Sequence, residues 1–251
     1  MGLVIWQSSI VLADLLLRRP PYGQGSWPGV SVLELGCGPG VVGMALALAG
    51  ARVVMTDLPH VTPLTRVNVE GNCGHAACGV PRVVDHAWGG DAAPLLAALA
   101  ARGAGAGGDG GVQRAGTGGA AAAAAAAAAP GADGLPAAGQ AAGVGAAAAA
   151  AAVAVQPGAA AAAAAAGFDL IVAADCVYEP PFYADLLSTL RAVAAPHACV
   201  VMAHRMRGLG EAGFPAAAQA AGWAVEQLPP HLLHQEFRDG SYLVLRLAWL
   251  G

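Results

Sequence analysis

Charge is scarce in this sequence. Asp, Glu, Lys and Arg make up 11% of its 251 residues, the formal net charge is −4, and the basic residues form no cluster. A protein that tracks a phosphate backbone needs such a cluster, so a dedicated nucleic-acid binder is not expected. Aromatic residues are also few, at 5%. No run of large apolar residues is long enough to read as a membrane span. The 57% hydrophobic content and the mean hydropathy of +0.57 come largely from alanine. No basic region precedes Leu3, Val4 and Ile5, which argues against a cleaved leader. Position six is Trp6, where a myristoylation pattern asks for Ser or Thr. The five cysteines are Cys37, Cys73, Cys78, Cys176 and Cys199. None forms a C-x-x-C pair, so they read as isolated buried thiols in a reducing, intracellular compartment.

Residues 103–166 are almost entirely Ala and Gly, with Asp109, Arg114 and Asp133 as the charged exceptions. The alanine runs favour helix but are too short to stand alone in water. They carry nothing large to bury, so the tract is expected to be a disordered, low-complexity surface insertion. Residues 1–102 and 167–251 then make up one domain of ordinary size for an α/β fold.

What the sequence does contain is concentrated in one stretch, Val32 to Gly43. A short apolar run ends in Glu34-Leu35, a glycine-dense turn follows, and a helix-like run begins at Val41. Glycines there let the backbone turn sharply and let a ligand lie against the main chain. The helix start adds free N–H groups and a partial positive charge. Two frames compete. Gly38, Gly40 and Gly43 satisfy the dinucleotide pattern G-x-G-x-x-G. Glu34, Gly36, Gly38 and Gly40 satisfy E-x-G-x-G-x-G, which resembles motif I of the S-adenosylmethionine-dependent methyltransferases. Both frames want an acid at the end of the next strand to take ribose hydroxyls, and Asp57 fits either. The loop alone leaves the choice open.

Further along, apolar runs alternate with helical patterns. Strands are expected over 30–35, 52–56, 82–88, 168–174, 198–203, 223–228 and 242–249, and helices over 8–18, 41–49, 63–72, 92–101, 181–193 and 214–221. Such alternation predicts a mainly parallel sheet with helices on both faces. The last two strands are close in sequence and predict an antiparallel pair. A dinucleotide dehydrogenase would continue into a second half. A seven-stranded methyltransferase sheet has this strand count and an antiparallel last strand.

Four features sharpen the choice: Trp6 before the first helix, Trp88-Gly89 after the third strand, Asp175-Cys176-Val177-Tyr178 after the fourth, and His204-Arg205-Met206-Arg207 after the fifth. With motif I and Asp57, they resemble the METTL21-like lysine methyltransferase group of methyltransferase family 16, whose particular mark is D-x-x-Y. The resemblance covers the chain outside the Ala/Gly tract. It implies an S-adenosyl-L-methionine-dependent enzyme that acts on a protein bearing a lysine. Neither metal nor nucleic acid nor membrane is required, and the location is cytoplasmic or also nuclear. It assigns cofactor binding to Trp6, Glu34, Gly36, Cys37, Gly38, Gly40, Asp57, Trp88 and Ala174. It assigns the acceptor side to Asp175, which would orient or desolvate the amine, and to Tyr178, which would shape the channel. One departure is at the start. Relatives carry a segment ahead of the tryptophan, whereas five residues precede Trp6 here, as expected of a shortened form. Two rival readings remain: a methyltransferase of the same fold acting on a small molecule or another side chain, and a degenerate cofactor-binding scaffold. Trp88-Gly89 and D-x-x-Y argue against the dehydrogenase. His204 and Arg205 read equally as loop or site, and Trp223 and Trp249 as core.

Overall fold

A computed structural model describes residues 3–19, 27–101 and 167–251, all within one compact unit. The expectation for the Ala/Gly tract, 103–166, lies outside the described residues. The elements run α1 (Gln7–Arg18), β1 (Ser31–Leu35), α2 (Val41–Leu48), β2 (Arg52–Asp57), α3 (Thr62–Cys73), β3 (Arg82–Asp85) and α4 (Ala93–Ala100). After the tract come β4 (Phe168–Ala174), α5 (Tyr183–Val193), β5 (Ala194–Arg205), α6 (Phe214–Ala220), β6 (Trp223–Gln227) and β7 (Tyr242–Trp249).

The seven strands form one sheet in the order β3-β2-β1-β4-β5-β7-β6. Strands β1 to β5 pair in parallel, and β7 lies antiparallel between β5 and β6. Fold class and strand count are as the alternation predicts. Because side chains alternate across a strand, each central strand feeds two cores. Val32, Leu170, Val172 and Val201 face the layer of α1, α2 and α3, where Leu12, Leu15, Leu16, Val42 and Leu46 cover them. Leu33, Leu35, Ile171 and Val200 face the layer of α4, α5 and α6, against Leu95, Leu186, Leu190 and Phe214. Truncating one such buried leucine costs about 2–5 kcal/mol, a large part of the roughly 5–15 kcal/mol that holds a domain folded.

Several local readings are corrected. Strand β5 starts at Ala194 rather than Ala198, because Ala194 already pairs with Phe168 before a register shift near Leu170. It also runs through Arg205, so His204 is a strand residue and not part of a loop. Pro180–Phe182 is a 3-10 turn, so α5 starts at Tyr183 rather than at 181, and Phe182 is exposed. Ile10 and Leu17 in α1 point outward. Trp223 is buried, as expected, but Trp249 is only half-buried, with the Arg191 guanidinium 4.2 Å over its ring. Cys78 is exposed, whereas the other four cysteines are buried; all five are free.

Strand order reverses between β1 and β4, since β2 and β3 lie to one side and β5 to the other. Open α/β sheets bind ligands at the carboxyl ends of the strands at such a reversal. The sheet therefore delivers Gly36, Asp57, Trp88 and Asp175 to one edge.

Candidate active site

A cavity of about 330 Å³ opens at that edge. Ten of the eleven residues singled out above line it: Trp6, Glu34, Gly36, Cys37, Gly38, Asp57, Trp88, Ala174, Asp175 and Tyr178. Gly40 does not. It sits behind the loop with φ +91°, and a Cβ there would lie 2.3 Å from Met55 Cε. Its place is to start α2 with its back against the core. Gly36 is the glycine of the cavity wall. Its φ is +60°, and an added Cβ would lie 2.8 Å from Cys176 Sγ and 3.5 Å from Trp88 Cζ2. Any larger residue would both strain the turn and fill the floor of the cavity.

Asp57 ends β2 and ties the loop down. Its Oδ2 accepts from the Gly38 N–H at 2.7 Å and its Oδ1 from the Leu58 N–H at 2.7 Å. A carboxylate offers about four lone-pair positions, so about two remain for hydroxyls presented from the cavity. Trp88 and Phe182 supply apolar surface, and Trp6, 40% exposed at the start of α1, forms the outer wall.

Glu34 is 2% exposed, and its Oε2 accepts from the Gly43 N–H at 2.8 Å, bracing the first turn of α2. Burial, with the nearby Asp57 charge adding to it, pushes Glu34 up to about 8. The folded protein therefore holds a proton that the unfolded chain releases near the ordinary value of 4.5. More protons bound in the native state means that stability falls as pH rises across that window. His86 and His204, both pulled below 6.5 by burial, act with the opposite sign and only at lower pH. Glu34→Gln should therefore flatten the decline in Tm between about pH 6.5 and about pH 8.5. An unchanged slope in the variant would contradict the buried, protonated carboxyl.

Asp175 is the only non-glycine residue with positive φ among those described, at +54°. Asp and Asn tolerate this region better than other side chains. Its side chain is 6% exposed, and both oxygens are engaged. Oδ1 accepts from the Arg205 N–H at 2.9 Å and from Arg207 Nη1 at 3.0 Å, and Oδ2 accepts from Arg207 Nη2 at 3.1 Å. About one lone-pair position, on Oδ2, is left over.

Sequence reasoning passed over two groups, Arg207 and His86, and read Cys176 as a buried thiol, which it is. Arg207 stood in the quoted H-R-M-R run but was given no role. His86 lines the cavity at 8% exposure, and its Nε2 is buried with no hydrogen-bond partner. The signal was its position two residues before Trp88. Cys176 donates from Sγ to the Leu35 carbonyl at 3.4 Å, and burial pushes its thiol up, so it is a packing group rather than a nucleophile. His204, considered as a site residue, is fully buried in β5 against Phe214, is pulled down to about 4 by burial, and does not line the cavity.

The sheet and its cavity define a methyltransferase fold. The structure matches a TehB-like S-adenosylmethionine-dependent methyltransferase from Corynebacterium glutamicum with TM-score 0.50 at 14% identity, over 95% of this chain and 87% of the other. It matches a predicted O-methyltransferase from Agrobacterium tumefaciens with TM-score 0.50 at 13% identity, over 97% and 81%. A family model described as lysine methyltransferase matches residues 1–94 and 159–220, and the chain belongs to that family. Curated relatives include the mouse protein-lysine methyltransferase METTL21E, 32% identical over 88 residues that make up 35% of each chain. They also include the EEF1A lysine methyltransferase 3 of Xenopus tropicalis, 40% identical over 87 residues, 35% of this chain and 36% of the relative. These alignments span about a third of the length of the relatives.

Proposed function

We propose that the protein is an S-adenosylmethionine-dependent protein-lysine N-methyltransferase. The observation that carries this reading is the meeting, in one cavity, of the Gly36–Gly38 loop, the Asp57 carboxylate and the Asp175 carboxylate. Family membership and the printed names of the relatives support the choice of lysine. The five free thiols fit a reducing compartment, cytoplasmic or also nuclear.

The residues present fit the cofactor. The wall at Gly36 has room for no side chain of its own. Asp57 keeps acceptor capacity toward the cavity, and the orphaned Nε2 of His86 needs a polar partner beside the Trp88 ring. An adenine between Trp88 and His86 and a ribose over Asp57 would use these groups.

When bound, S-adenosylmethionine supplies a methyl group on a sulfonium. The chain's own part is alignment, and alignment is worth several kcal/mol in a displacement between two held groups. Asp57 and the Gly36–Gly38 backbone fix the cofactor side. On the acceptor side, the remaining lone pair of Asp175 Oδ2 takes an N–H of the lysine amine and orients the nitrogen. Asp175, already accepting from three N–H groups, orients an amine that reaches the site neutral and attacks the methyl with its own lone pair. Tyr178 narrows the approach, and Trp6 excludes water from the outer side.

Calorimetry with S-adenosylhomocysteine and with NAD tests this class. The expected result is saturable binding of the first and no heat from the second; the reverse pattern would end the methyltransferase reading.

A further inference from the structure

Arg207 has no part in the account so far except as the partner of Asp175, and its geometry goes further. Its guanidinium does not line the cavity; it meets Asp175 from outside. The same guanidinium lies 4.9 Å from the ring centroid of Trp6. One planar cation thus spans the outer wall on α1 and the acid at the end of β4. The segment that delivers it is itself anchored. The Met206 N–H bonds the Ser241 carbonyl at 2.8 Å. The Arg207 and Leu209 N–H groups bond the two oxygens of Glu211 at 3.2 and 2.9 Å, and Glu211 is buried.

We infer that Arg207 is a positioning residue for methyl transfer, holding the Asp175 carboxylate in the one orientation that leaves an Oδ2 lone pair facing the cavity and locking Trp6 to it. This rests on the reading that Asp175 meets the acceptor amine. A guanidinium fork fixes both oxygens of a carboxylate at once, which a lysine ammonium does not reproduce. Without the fork, Asp175 keeps only the Arg205 N–H, its plane rotates, and alignment is lost.

The charge matters as well as the geometry. The other groups around Asp175 are Arg205 and the neutral, buried His204 on β5, Glu211 beyond them, Tyr242 on β7, the Cys176 thiol, and Glu34 and Asp57 across the cavity. The Arg205 guanidinium is turned toward Gln7. Arg207 is therefore the cation that faces both oxygens of the carboxylate.

The test uses the full chain with Arg207→Met and Arg207→Lys. S-adenosylhomocysteine affinity is measured by calorimetry, and methyl transfer from tritiated S-adenosylmethionine into soluble lysate protein over a range of cofactor concentrations, which separates kcat from KM. The expected result for Arg207→Met is an affinity within about threefold of the parent and a rate at saturating cofactor lower by roughly 10- to 100-fold. The KM for the cofactor should stay near the parent's, so that the loss falls on kcat. Arg207→Lys should not restore the rate, because an ammonium does not reproduce the two-point fork. A merely structural role would lower Tm and cofactor affinity together with the rate, and that outcome overturns the inference. So does Arg207→Met with the parent's rate. A parent protein that binds S-adenosylhomocysteine but transfers no methyl overturns the reading of Asp175 beneath it, and the inference with it.

Discussion

Asp175→Asn is expected to slow methyl transfer by about 100-fold or more, the range lost with one preorganised hydrogen-bonding group at a reacting centre, while S-adenosylhomocysteine affinity stays within about threefold. Asparagine is the informative substitution. The backbone at this position has φ +54°, which Asn adopts almost as readily as Asp, so the turn survives. Alanine would add backbone strain at this position, mixing a folding defect with the loss of the acid. In the asparagine variant, one oxygen remains for the Arg205 N–H, but the amide nitrogen cannot accept from the lysine amine. A variant that transfers at the parent rate would remove Asp175 from the acceptor side.

Asp57→Ala should show the opposite pattern. The expected effect is a rise in the S-adenosylhomocysteine Kd of roughly 10- to 150-fold, the equivalent of one lost charged hydrogen bond of about 1.5–3 kcal/mol. Two losses add here. The acceptor positions facing the cavity disappear, and the Gly38 N–H loses its 2.7 Å partner, so the loop that carries Gly36 is no longer tied to β2. Asp57→Asn keeps an acceptor for one of these contacts and should cost less. Calorimetry reads both. Equal affinities for parent and alanine variant would mean that the ribose lies elsewhere.

The strands were legible because each central one is a short, continuous apolar run bounded by turn residues, which is what a strand buried on both faces requires. The reversal at β1 and β4 then fixed which end of the sheet carries the cavity, and the E-x-G-x-G-x-G loop marked it. Side-chain partnerships were not legible. Asp175 read as an acid on the acceptor side with no partner named for it, yet Arg207, 32 positions away, holds both of its oxygens. Glu34 read as a ligand contact; its depth in the core and its bond to Gly43 arise only when α2 packs on β1. Gly40 fell inside a motif that counts glycines but does not say which of them face the ligand and which face Met55. Strand β5 was read too short because Pro196 interrupts the apolar pattern, whereas the irregular pairing with β4 accommodates it.

The central claim is transfer of a methyl group to lysine, and one measurement addresses it directly. The full chain is incubated with methyl-labelled S-adenosylmethionine and a soluble lysate, and the labelled species are separated and sequenced by mass spectrometry. The chain contains no lysine: all twelve of its basic residues other than histidine are arginine. Side-chain methyllysine in the products must therefore come from an added acceptor and not from the enzyme itself. The account predicts label on the ε-amine of lysine in a protein, dependent on Asp175. Label confined to small molecules or to another side chain, with S-adenosylhomocysteine binding intact, would contradict it.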